Sequence, residues 1–188
     1  MSRTQFYTAT TIDGFLADPD NSLDWLFEVP ADPPGPPGYA EFFGAVGAMA
    51  MGATTYEWIL EHEGALDHPE KWTQWYGQTP SWVFTHRDLP AVPGADIRFA
   101  SGPVRPVHDD MVRAAGGRNI WLVGGGDLVG AFADEGLLDE LLLQVAPVTL
   151  GAGAPLLPRR LTSARLSLRE VGRSGQFALL TYDVKPAG

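Results

Sequence analysis

The chain has no cysteine among its 188 residues, which excludes disulfides and thiolate chemistry. It has only two lysines, Lys71 and Lys185, and arginines complete its 13 basic residues. Against these stand 23 acidic residues, for a formal net charge of −10. An acidic chain without a basic stripe is a poor match for the phosphate backbone of nucleic acid, and equally for a peripheral membrane role. No apolar run approaches the ~20 residues that a membrane span requires. The opening Met1-Ser2-Arg3-Thr4-Gln5 enters a strand-like segment with no signal-peptide apolar region, so a cytoplasmic protein is expected. The histidines His62, His68, His86 and His108 form no HExxH pattern, and no metal site is expected. No G-x-S-x-G elbow occurs, which argues against a serine hydrolase. Two familiar phosphate motifs are missing as well. There is no Gly-Lys-Ser/Thr, and the spacing of Gly124, Gly126 and Gly130 does not fit the G-x-G-x-x-G fingerprint.

With 45% hydrophobic residues, the chain is long enough to bury a full core, and one domain over residues 1–188 is expected. Its organising stretch is Ile120-Trp121-Leu122-Val123-Gly124-Gly125-Gly126-Asp127-Leu128. The apolar run without polar alternation predicts a strand buried on both faces. The glycines then turn the chain into an apolar-periodic helix, for which Asp127 is the predicted N-cap and Gly136 the residue past the C-terminus. Such a turn suits an anion, because glycine lets the backbone approach and the helix N-terminus presents free N–H groups. It also serves simply to turn the chain, and these nine residues alone do not separate the two readings.

The pattern repeats earlier. Val46 to Met51 predicts a buried strand that passes through Gly52 into a helix, where Thr54 and Glu57 have capping-box spacing. Phe6 to Ile12 predicts the first strand, running into the turn Asp13-Gly14. Asp13 either closes that turn through its side chain or projects its carboxylate at the strand's C-terminal end, where open α/β sheets bind ligands. Val29 to Gly38 carries five prolines and predicts a stiff, extended insertion, followed by a short helix over Tyr39 to Phe43. Ser81 to Thr85 predicts a further strand, ending in His86-Arg87; an arginine there is solvated or reads a phosphate. After a short strand at Ile97 to Phe99 and a helix over Pro106 to Ala115, a buried strand follows at Leu141 to Ala146. Leu150 to Leu156 is a glycine-rich loop. Arg165 to Val171 and Phe177 to Val184, separated by Ser174-Gly175, predict a terminal antiparallel hairpin. Strands alternating with helices imply a mostly parallel, mixed sheet covered on both faces. Strand ends at Gly52, Thr85 and Gly124 then suggest a dinucleotide lying across the sheet edge, with Arg87 favouring a 2′-phosphate.

Four motifs carry a resemblance. Ala9-Thr10-Thr11-Ile12-Asp13-Gly14-Phe15-Leu16-Ala17 resembles the A-x-S-L-D-G-x-I-A opening of the riboflavin-biosynthesis reductase domain. Met51-Gly52-Ala53-Thr54-Thr55-Tyr56-Glu57 resembles the M-G-R-x-T-Y-E motif of that family and of dihydrofolate reductases. Val123 to Leu128 is similar to their V-x-G-G-x-x-L turn, and Leu150 to Leu156 to the L-G-x-G-x-P-L loop. The resemblance implies a dihydrofolate-reductase-like three-layer α/β fold and an NADPH cofactor. It also implies hydride transfer to a C=O or C=N group of a pteridine- or pyrimidine-like small molecule. In that scheme Ala9 and Leu16 flank the nicotinamide. Gly52, Thr54, Thr55 and Gly124, Gly125, Gly126, Asp127, Leu128 hold phosphates. Thr85, His86 and Arg87 sit by the 2′-phosphate. Asp13 faces the substrate, with Trp25 as an apolar wall, and the proton comes from Asp13, its pKa raised by burial, or from a water that it orders. Two departures stand out. Ala53 replaces the motif's arginine, and no basic cluster awaits a substrate's ribose phosphate. The motif begins at residue 9, so no deaminase domain is expected ahead of it. The resembling reductases commonly pair through the sheet edge, so a homodimer is expected. A nucleotide- or ligand-binding module with the same fold and no turnover is the alternative.

Overall fold

A computed structural model of the chain describes residues 2–30 and 38–186, so most of the expected proline-rich insertion over Val29 to Gly38 lies outside the described residues. The elements run in the order β1 (Thr4–Thr11), β2 (Phe15–Ala17), α1 (Asp24–Phe27), α2 (Tyr39–Gly44), β3 (Val46–Gly52), α3 (Ala53–Glu63), α4 (Pro69–Tyr76), β4 (Ser81–Phe84), β5 (Ile97–Ala100), α5 (Val104–Ala115), β6 (Asn119–Gly124), α6 (Gly126–Asp134), β7 (Glu140–Ala146), β8 (Ala154–Pro155), β9 (Leu166–Ser174) and β10 (Phe177–Val184). The main sheet has eight strands in the order β5-β4-β3-β6-β1-β7-β10-β9. From β5 to β7 every pairing is parallel, and β10 pairs antiparallel with both β7 and β9. This is the mixed, mostly parallel sheet with a terminal hairpin that the strand pattern predicts.

Side chains alternate across a pleated strand, and neighbouring residues of the central strands therefore enter two different cores. Phe6, Ala48, Ile120 and Leu122 face one side, where they meet Met111 of α5 and Phe132 of α6. Tyr7, Met49, Met51 and Trp121 face the other, against Tyr56 and Ile59 of α3 and Trp72 of α4. Helix, sheet and helix thus form three layers. Burial on both faces explains why β3 and β6 read as unbroken apolar runs.

Local structure departs from the sequence reading in several places. Both predicted side-chain caps are absent. The N-cap of α3 is Gly52 and that of α6 is Gly125, neither with a side-chain capping bond. Thr54 and Asp127 therefore lie inside the first turns of their helices, and Glu57 turns away to pair with Arg87. Gly136 does take the left-handed conformation past α6, with φ +67°. Helix α4 starts with Pro69 in its first turn, where the missing N–H costs nothing. The glycine-rich loop after β7 contains β8, which pairs with β2 in a separate two-stranded sheet. That small sheet holds the loop over the C-terminal ends of the parallel strands.

Candidate functional site

The two helices that follow β3 and β6 begin at glycine turns lying side by side. Met51 is in register with Gly124, and a Cβ on Gly52 would come within 3.8 Å of the Gly125 nitrogen. Gly124 has φ +146°, a conformation open in practice to glycine alone. Because neither helix has a side-chain cap, the orphan N–H groups of two helix N-termini converge on one place. Both turns line a cavity of about 390 Å³, together with Ala9, Leu16, Ala17, Trp25, Thr54, Thr55, Asp127, Leu128, Ala154 and Pro155. The loop roof fits tightly over α6. A Cβ on Gly126 would fall 2.3 Å from the Pro155 carbonyl oxygen, and one on Gly153 would fall 2.0 Å from that of Ala17. Trp25 is 6% exposed, and its indole nitrogen has no hydrogen-bond partner among the described residues.

A second cavity of about 410 Å³ adjoins the first, and residues such as Thr8, Ala9, Leu26, Thr55, Trp58 and Val123 line both. Its floor is one face of the sheet: Tyr7 and Ala9 of β1, Trp121 and Val123 of β6, and Gln144 of β7. Ala9 and Gln144 are in register on neighbouring strands, so Gln144 lies on the face that Tyr7 shares two residues earlier. Its walls include Phe27, Tyr39, Trp58, Trp75, Tyr76 and Phe177. The tyrosines are ordered. Tyr39 donates a hydrogen bond to the Trp75 carbonyl at 2.7 Å, and Tyr7 stacks on Phe42 with ring centroids 4.1 Å apart. Burial pushes the Tyr7 phenol up to about 12, while a hydrogen bond from the Gln144 side chain pulls the other way. Burial also raises Tyr39 and Tyr76. All three are neutral phenols at physiological pH.

The first cavity thus gathers Ala9, Leu16, Trp25, Gly52, Thr54, Thr55 and Gly124 through Leu128, residues that lie far apart in the sequence. Asp13 stands outside the lining of both cavities. Its carboxylate accepts hydrogen bonds from the Thr11 hydroxyl at 2.5 Å, the Leu150 N–H at 3.1 Å and the Gly151 N–H at 2.7 Å. The expectation that burial raises its pKa is overturned. The side chain is exposed, and the Thr11 hydroxyl, followed by the Gly151 N–H, holds the carboxyl below its ordinary range. The carboxylate staples the β1–β2 turn to the loop that carries β8. Thr85, His86 and Arg87 also lie off the cavity lining. The Thr85 hydroxyl accepts the Arg87 N–H at 2.9 Å, and the Arg87 guanidinium grips Glu57. The aromatic second cavity escaped the sequence reading altogether. Its one local signal was Gln144, a polar residue at 5% exposure inside an apolar strand.

A family model described as the RibD C-terminal domain matches residues 59–179. The chain is 29% identical over 180 residues to the uncharacterized protein YwjB of Bacillus subtilis (strain 168), covering 96% of this chain and 97% of that one. Among solved structures it resembles a putative riboflavin biosynthesis protein from Shewanella sp. PV-4. That match has a TM-score of 0.76 at 26% identity and covers 98% of this chain and 99% of the other. A dihydrofolate reductase from Enterococcus faecalis, complexed with NADP(H), aligns with a TM-score of 0.56 at 13% identity over 97% and 96% of the two chains, a likeness of fold. The family match covers well over half the chain, and the protein belongs to the RibD C-terminal domain family.

Proposed function

We propose that the protein is an NADPH-dependent reductase with its cofactor in the first cavity and its substrate in the second. The observation that carries this reading is the meeting of two uncapped, glycine-started helix N-termini in one cavity that opens onto an aromatic one. The residues present fit a pyrophosphate. Backbone N–H groups and helix dipoles favour an anion there, and Gly124 adopts a φ that leaves the approach free of a side chain. Ala9 and Thr55 line both cavities, at the junction where a nicotinamide ring would meet a substrate. The relative from Enterococcus faecalis is described as binding NADP(H), which supports the same cofactor here.

When bound, NADPH supplies the hydride, and its redox chemistry belongs to the cofactor. The chain's own contribution is position and exclusion of water. Sheet residues Tyr7, Ala9, Trp121 and Val123 form a rigid floor, and holding two reactants in attack geometry is worth several kcal/mol, about 7–11 in favourable cases. The substrate atom left negative by hydride addition needs a proton. Among the described residues, none with a carboxyl group lines the second cavity, and Asp13 is an exposed carboxylate held in its ionised form. Water is therefore the proton source in this reading, with neutral hydroxyls and the Gln144 amide to orient it. Asp13 acts as a positioning residue for the loop.

Titration calorimetry with NADPH and NADH, then NADPH oxidation over pterins, folates and aminouracil ribose derivatives, tests the reading. Failure of NADPH to bind would sink it, and binding without turnover across the panel would favour the ligand-binding module. A cytoplasmic homodimer accompanies this proposal: edge strand β9 exposes Leu168 and Val171, at 54% and 64%, and a covered edge is the usual arrangement. A monomer in light scattering at high concentration would remove it.

A further inference from the structure

Among the described residues, no charged side chain lines the second cavity. Its polar groups are the hydroxyls of Tyr7, Thr8, Tyr39, Thr55 and Tyr76 and the Gln144 amide, and the phenols stay protonated at neutral pH because burial disfavours their anions. Everything else on the lining is aliphatic or aromatic. Every lysine and arginine of the chain lies among the described residues. No arginine or lysine lines either cavity. Seven of the 13 are paired elsewhere: Arg3 and Arg169 to Glu140, Arg87 to Glu57, Arg98 to Asp96, Arg105 to Glu135, Arg113 to Asp110 and Arg159 to Asp134. His62 stacks on Trp58 and Phe27 and is not on the lining. The anion-favouring helix N-termini open into the first cavity, where the proposed cofactor takes them.

An unpaired charge moved from water into an apolar box is penalised severely, whereas a flat neutral ring gains from burial and from edge or face contact with aromatic side chains. Resting on the reductase reading for the neighbouring cavity, we infer that the second cavity selects a planar, uncharged heterocycle without a phosphate or carboxylate tail. The substrate class is thus narrowed to the unphosphorylated members of the pyrimidine and pterin series. Trp75 is a partly exposed residue of the lining, at 37%. A cation there would change the selectivity.

The test uses pairs in which one member is neutral and the other carries a charged tail. One pair is 5-amino-6-ribosylaminouracil against 5-amino-6-(5-phosphoribosylamino)uracil, and the other is 6-methyl-7,8-dihydropterin against dihydrofolate. Binding is read by quenching of the lining tryptophans, with NADPH present and absent, and NADPH oxidation is followed separately. The neutral member of each pair should bind at least about tenfold more tightly, which corresponds to about 1.4 kcal/mol. Trp75→Arg, which keeps the backbone carbonyl bonded to Tyr39, should narrow the gap between the phosphorylated uracil and its neutral partner by about tenfold, read from the remaining lining tryptophans. Equal or tighter binding of the charged members to the unaltered protein overturns the inference, as does failure of both neutral members to quench. Preferential quenching by neutral members without NADPH oxidation upholds the selectivity and defeats the reductase reading. Turnover of the phosphorylated uracil in preference to its neutral partner does the reverse.

Discussion

The guanidinium of Arg87 closes on the carboxylate of Glu57 through two hydrogen bonds of 2.9 and 2.7 Å. The pair ties the end of β4 to the first turns of α3, beside the proposed cofactor cavity. Both side chains are well exposed, at 60% and 40%, and an exposed pair of this kind contributes about 0–1 kcal/mol to stability. Its interest is functional. A 2′-phosphate that draws Arg87 must compete with Glu57. Glu57→Gln should therefore raise NADPH affinity severalfold, and Arg87→Ala should lower it by roughly tenfold, the loss of one charge-assisted contact. NADH affinity should hardly move in either variant. Calorimetry showing equal changes for both cofactors would take Arg87 out of the 2′-phosphate role.

Gly126→Ala addresses the cradle itself. The added Cβ would lie 2.3 Å from the Pro155 carbonyl oxygen and 2.6 Å from that of Leu156. Both are backbone atoms of the loop carrying β8, so relief requires the loop to move. Overpacking of this sort costs about 1–3 kcal/mol, and the displaced roof should weaken NADPH binding as well. Urea unfolding combined with calorimetry checks both parts. Unchanged stability would mean that the loop does not rest on α6.

Asp13→Asn separates a donor from a staple. A carboxyl held below its ordinary pKa is ionised at neutral pH and has no proton to give. Turnover with saturating NADPH should stay within a few-fold, and the pH profile should keep its shape. The loop around Leu150 and Gly151 should become more sensitive to limited proteolysis, because those N–H groups lose an ionic acceptor. A drop in turnover of about two to four orders of magnitude, together with a lost pH-dependent step, would restore Asp13 as the acid.

Acid sensitivity should come in part from His108. Its ring nitrogen lies 2.8 Å from the Thr4 hydroxyl, and burial lowers its pKa from the ordinary 6.5. The folded state then binds the proton less readily than the unfolded chain. The stabilising contribution is present above pH 6.5 and is lost as pH falls through that value toward the lower folded pKa. Denaturant midpoints should decline across that window, and His108→Gln should flatten this part of the profile. A variant with the same slope as the parent would assign the acid sensitivity to other groups.

Much of the fold was legible locally. Val46 to Met51 and Ile120 to Val123 announce strands buried on both faces, because only a central strand of a covered sheet tolerates apolar residues at every position. Gly52 and Gly124 announce turns into helices, and Ser174-Gly175 announces the hairpin. Helix caps were misread, since Thr54 with Glu57 and Asp127 satisfy the spacing of a cap while the chain enters both helices earlier, at Gly52 and Gly125. Capping spacing constrains a side chain's reach and leaves its competing partners open, and Glu57 found one in Arg87.

The sequence by itself determined the class of the protein: a covered, mostly parallel sheet, glycine turns that lead strands into helices, and no cluster of basic residues along the chain. Those properties depend on periodicity, backbone freedom and composition, all carried by residues near one another or by simple counts. Only the tertiary structure decided what Asp13 does, because its partners Leu150 and Gly151 lie 137 and 138 residues away. The aromatic cavity is likewise a product of sheet register, which sets Tyr7, Trp121 and Gln144 on one face from three separate strands. Strand order is chosen by closure of the whole core, and no local pattern in any of those strands encodes which neighbours it will meet.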